Sequence, residues 1–150
     1  SYEDGLKAYK NSDFKTAFLT FEELALKDDL KAQSKLGFMY LYAKGVDVDF
    51  NKALSFLEKA SNKGDAEAQY HLGLIYFSDL YKQQDYKKAI EWYEKSANQG
   101  NTKAQFNLGI MYANGQGVIQ DKKRAKEYFG KACDGGDQKG CDNYKILNQK

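Results

Sequence analysis

Apolar residues recur along this chain at helical rather than strand spacing, and the helical pattern itself returns at a fixed step. Ala32, Leu36, Met39 and Tyr40 fall at intervals of four, three and one, which puts them on one face of a helix. The same register returns 36 residues later at Ala68, Leu72, Ile75 and Tyr76, and again at Ala104, Leu108, Met111 and Tyr112. A second stripe lies between these helices: Ala53, Phe56, Leu57 and Ala60, then Ala89, Trp92, Tyr93 and Ala97, then Ala125, Tyr128, Phe129 and Ala132. Asp49, Asp85 and Asp121 precede that stripe, and an aspartate there caps a helix because its carboxylate accepts a backbone N–H. Gly64, Gly100 and Gly136 end it as left-handed caps, and Asp65, Asn101 and Asp137 cap the next helix of the first kind. We call the two kinds A and B.

A fixed step of this length means stacked helix pairs, none able to bury its apolar face alone. Gly37, Gly73 and Gly109 sit inside the A helices. Glycine there costs ~1 kcal/mol against alanine, so three at one register predict close approach of a neighbouring helix. The first unit, 1–28, has an A–B loop four residues shorter, as Gly5 and Ala17 show against Gly37 and Ala53. Units 29–64, 65–100 and 101–136 are full repeats, and 137–150 is a terminal capping helix. The expected architecture is all-α: an α-solenoid of antiparallel pairs, about nine helices in one domain, wound as a right-handed superhelix.

The run Ala-Gln-x-x-Leu-Gly-x-x-Tyr, followed by Gly115-Gln116-Gly117-Val118-Ile119-Gln120-Asp121, resembles the Sel-one-like repeat, a longer-looped relative of the tetratricopeptide repeat. The loop with Gly45 and Val46 keeps part of that pattern, whereas Ser78 to Asp85 has lost both glycines. The pair Cys133 and Cys141 is similar to the cysteine-rich branch of the family known from Helicobacter, in which cysteines eight apart tie helix B to the next helix A. That resemblance implies a Cys133–Cys141 disulfide. The residues alone leave two reduced, partly buried thiols as the alternative.

Composition narrows the function classes. A mean hydropathy of −0.76, with no apolar run near the ~18 residues of a membrane span, excludes insertion in a bilayer. Basic and acidic residues number 23 and 21 and are interspersed, which argues against nucleic acid. No leader precedes Ser1, so the chain is cytoplasmic or has lost one; oxidised cysteines would place it in a bacterial periplasm or outside the cell.

Catalytic chemistry finds little support. Tetrahedral zinc wants four ligands and the lone His71 lies far in sequence from Cys133 and Cys141, so no metal or cofactor is expected. His71 shares its register with Lys35 and Asn107, which predicts a solvated position. Ser12-Asp13-Phe14-Lys15 matches the Ser-x-x-Lys of penicillin-recognising enzymes, and the cysteine-rich branch has been linked to β-lactams. The companion motifs are absent, however, and Ser12 or Asp13 stands where the first helix B needs a cap.

The family resemblance places the A helices on a concave face. Carried over by position, the groove comprises Ser34, Phe38, Leu41 and Tyr42; Tyr70, Leu74, Phe77 and Ser78; and Phe106, Ile110, Ala113 and Asn114. This set is rich in aromatics and nearly free of charge, which suits a peptide with apolar anchors. The expectation is a non-enzymatic, monomeric adaptor that holds a peptide or partner subunit. The alternatives are a β-lactam-binding or hydrolysing protein and a toxin-specific inhibitor or immunity-type binder.

Overall fold

The computed structural model describes residues 1–149, which contain nine α-helices and no strand. They form two compact units, Ser1–His71 and the residues from Leu72 onward. The first holds α1 (Tyr2–Lys10), α2 (Phe14–Leu26), α3 (Leu30–Tyr42), α4 (Phe50–Asn62) and the opening turns of α5 (Ala66–Phe77). The second holds the rest of α5, α6 (Tyr86–Asn98), α7 (Thr102–Asn114), α8 (Lys122–Asp134) and α9 (Gln138–Asn148). Odd-numbered helices are the A type and even-numbered ones the B type.

The caps lie where side-chain chemistry demands. Asp49, Asp85 and Asp121 accept the N–H of Lys52, Lys88 and Arg124 at 3.0, 3.1 and 3.0 Å. Asp29, Asp65 and Asn101 do the same for Ala32, Ala68 and Ala104. Gly64, Gly100 and Gly136 follow the B helices with φ of +99°, +92° and +97°, a region closed to most L side chains. Each A–B loop is also drawn shut by one backbone bond. Asp49, Asp85 and Asp121 donate N–H to the carbonyls of Tyr40, Tyr76 and Tyr112 at 3.1, 2.7 and 2.8 Å.

The A-helix glycines mark where the helices of a pair meet. Gly5 and Gly37 face the fully buried side chains of Phe21 and Leu57, and a Cβ on either would lie 2.6 Å from that neighbour. Gly73 and Gly109 face the rings of Tyr93 and Phe129 in the same way. A methyl group at any of these sites would push the helices apart. The B stripe in the middle repeat runs through Ser96, fully buried in register with Ala60 and Ala132, with Ala97 buried beside it.

Between consecutive pairs, the repeated glutamine does the joining. Gln33, Gln69 and Gln105 are buried, and each donates Nε2–H to a carbonyl in the last turn of the preceding B helix: Ala25 at 3.3 Å, Ser61 at 3.2 Å and Ala97 at 3.1 Å. These carbonyls belong to the group a helix end leaves without internal partners. At the next step the positions are occupied by Cys133 and Cys141, joined as a disulfide with a Cα–Cα distance of 4.5 Å.

Candidate functional site

In the first unit, the A-helix face gathers an aromatic cluster around His71. Its ring centroid lies 5.2 Å from Phe38, 5.3 Å from Tyr70 and 6.4 Å from Tyr42, and Phe38 and Tyr42 are 4.7 Å apart. Phe38 and Tyr70 are half-buried and Tyr42 is exposed; Ser34 and Leu41 are buried within the unit. His71 is 6% exposed, which corrects the expectation of a solvated residue. The register was misleading because Lys35, its counterpart one repeat earlier, buries its aliphatic stem and reaches outward only with its ammonium.

That ammonium lies 3.4 Å from Glu67 Oε1, and His71 Nε2 approaches the same oxygen at 3.9 Å, long for a hydrogen bond but close enough for the ring N–H to favour the carboxylate. The His71 imidazole first, and the Lys35 ammonium after it, hold the Glu67 carboxyl down at about 2 against the opposing effect of burial. Nearby, a cavity of about 150 Å³ is lined by Tyr2, Lys31, Ser34, Asp65 and Glu67. Burial, with the negative charge of Glu67 and Asp65 next, pushes the Tyr2 hydroxyl up to about 12.

In the second unit, Leu74, Phe77 and Ile110 converge on a mostly apolar cavity of about 190 Å³, completed by Tyr93 and Asn107. Asn107 donates Nδ2–H to the Tyr93 hydroxyl at 3.3 Å, which ties a half-buried amide to a fully buried phenol. Phe106 packs on Phe129 with centroids 5.5 Å apart. The Ser78 hydroxyl accepts the N–H of Leu80 at 3.0 Å, Ala113 is half-buried, and Asn114 is an exposed residue at the end of α7. Tyr93 and Asn107 were not among the sequence-derived groove residues. The periodic Gly73–Tyr93 pairing was the available pointer to the first.

Ser12 adopts φ +63° in the turn between α1 and α2, and Asp13 caps α2 through the Thr16 N–H at 3.3 Å. The Ser-x-x-Lys match therefore falls on a turn and a cap. The described residues contain no cluster of metal-ligating side chains, and none of their helices is long and apolar enough to cross a membrane.

Helix pairs stacked by a periodic set of contacts define a solenoid repeat protein. The chain belongs to the Sel1 repeat family, whose pattern it matches at residues 30–65, 66–101 and 102–137. Among solved structures it is similar to a Sel1 repeat protein from Oxalobacter formigenes, with 25% identity over 97% of this chain and 58% of that one, at a TM-score of 0.89. It is also similar to a protective antigen with an SLR fold from uropathogenic Escherichia coli, with 33% identity over 93% of this chain and 31% of the other, at a TM-score of 0.83. The chain thus spans little more than half of the first relative and under a third of the second. Cysteine-rich protein B of Helicobacter pylori shares the fold at 23% identity, covering 95% of this chain and 96% of that one, with a TM-score of 0.65. Among curated proteins none matches the chain in sequence.

Proposed function

We propose that this chain is a non-catalytic binding module that holds a peptide or partner subunit against its A helices. The observation that carries the reading is the apolar cavity bounded by Leu74, Phe77 and Ile110, which has the size and character of a receptor for one apolar side chain. Membership of a repeat family whose fold generally serves as a protein-interaction scaffold supports it. The Cys133–Cys141 disulfide supports an oxidising compartment, the periplasm or the exterior of a bacterial cell.

The test is affinity capture from extract of the source organism, comparing wild type with a Leu74→Gln/Ile110→Gln variant of unchanged helicity. A partner retained by wild type and lost from the variant is the expected result. Equal recovery by both, or no partner with either, would overturn the reading.

A further inference from the structure

We propose that the outer face of α8 is a second binding site, which receives a carboxylate-rich segment of a protein partner. The charge of the chain is unevenly shared. Residues 1–71 carry ten basic and twelve acidic side chains, the remainder thirteen and nine. The excess concentrates on α8, where Lys122, Lys123, Arg124, Lys126 and Lys131 face only Glu127 and Asp134 as acids of the same helix.

Three of these cations are placed on rings instead of carboxylates. Arg124 lies 4.8 Å from the centre of the Tyr112 ring, Lys131 5.3 Å from that of Tyr128 and Lys126 5.4 Å from that of Tyr144. Among the described residues no ion pair involves an α8 cation, whereas Lys27, Lys35 and Lys59 of the first unit all have acidic partners. A ring face attracts a cation without neutralising it, so the positive charge of α8 remains available.

Arg124 is also held in place. The Tyr112 and Tyr128 rings stack at 5.7 Å and 15°, and the Arg124 guanidinium lies over the Tyr112 face of that stack. A guanidinium seated on a ring is partly oriented before any ligand arrives, and its fork of N–H donors matches a carboxylate. It opens on a cavity of about 370 Å³ that Lys123 and Lys131 also line. Lys123 and Lys131 are two helical turns apart, about 12 Å, which spans several residues of an extended peptide.

Asp121 and Glu127 line the same cavity. They interrupt the row of cations, so the positive charge is spaced rather than continuous, which matches discrete carboxylates better than the unbroken charge of a polyphosphate backbone or an anionic membrane. The site shares no residue with the A-helix cavity and stands independently of the function proposed above.

The experiment titrates the isotope-labelled full chain at about 50 mM salt, where charge interactions are weakly screened. The probe is a synthetic peptide of alternating glutamate and serine, and its glutamine counterpart is the control. The expected result is NMR shifts confined to residues 121–131 with a Kd of ~1 mM or below, silence from the glutamine peptide, and ~10-fold weaker binding for Arg124→Gln. Lys123→Gln, which removes a charge that rests on no ring, should weaken binding several-fold with the fold intact. The absence of shifts, equal response to both peptides, or unchanged affinity in Lys123→Gln would overturn the proposal. Tighter binding of a single-stranded oligonucleotide or of phosphatidylserine vesicles would overturn its assignment to a protein partner.

Discussion

Cys141 occupies, one period on, the place that Gln105 holds in the preceding repeat. Gln105 reaches back eight residues to the carbonyl of Ala97, and Cys141 reaches back eight residues to the sulfur of Cys133. A covalent bond thus stands where the other junctions use a hydrogen bond. Since the two positions share their geometry, Ala97→Cys/Gln105→Cys should also form a disulfide on air oxidation. Thiol titration should find no free sulfhydryl in the variant; two persistent free thiols beyond wild type would show that the junctions differ.

Breaking the native link should cost more than breaking its hydrogen-bonded counterpart. Reducing Cys133–Cys141, or replacing both with serine, should lower stability by ~2–3 kcal/mol in the chain-entropy account, and amides of α9 should lose exchange protection first. Gln105→Ala should cost ~1 kcal/mol, because it removes one buried bond while the Ala97 carbonyl keeps the Gly100 N–H at 2.9 Å. Urea denaturation of the three proteins side by side checks the order.

Gly73→Ala tests the helix contact. The methyl group gains ~1 kcal/mol of helix propensity but overlaps the buried Tyr93 ring, and overpacking of that kind costs ~1–3 kcal/mol. The expected net effect is a loss of ~1 kcal/mol or more. A variant more stable than wild type would mean that the Tyr93 ring moves aside without strain.

Ala43→Gly should act in the opposite direction. Ala43 ends α3 in the left-handed conformation, φ +55° and ψ +47°, where α7 uses Gly115. An L side chain is penalised there by ~1–2 kcal/mol, part of which glycine returns as unfolded-state entropy. A gain of ~0.5–1 kcal/mol is expected in thermal or urea denaturation.

Much of this architecture was legible in the chain. The aspartate caps and the glycine approaches follow from residue types whose geometry is narrow, whereas the pairing of Cys133 with Cys141 is implied by the family resemblance and left open by the residues alone. His71 was not legible, because a lysine stem and a histidine ring can occupy one register with opposite exposure. The glutamine bonds were hidden for a different reason. Their acceptors are backbone carbonyls, which carry no side-chain signature. The same holds for the cations Lys52, Lys88 and Arg124, which lie 5.5, 5.3 and 4.8 Å over Tyr40, Tyr76 and Tyr112: the spacing is periodic, but the contact needs the closed loop.

Glu67 should make stability depend on acidity. Its carboxyl titrates at about 2 in the folded chain against an ordinary value of 4.5, so its contribution is complete above about pH 5 and drains as the pH falls toward 2. Because half of the side chain meets solvent, the contribution is on the order of 1 kcal/mol after screening. Glu67→Gln should be the less stable protein at pH 7, and the two denaturation curves should converge only at about pH 2 and below. A gap that stayed constant with pH would remove the ionic interpretation.

The loop closure from Asp85 to Tyr76 survives in a segment that has lost both loop glycines, so the joints of this chain tolerate drift between them. Since the donors and acceptors that fasten one helix to the next recur at a constant step, unequal crossing-over within the gene would excise or insert a whole cassette and leave compatible ends. Array length can therefore change by recombination without the redesign of a core, and a lineage could lengthen or shorten its binding surface faster than point mutation would allow.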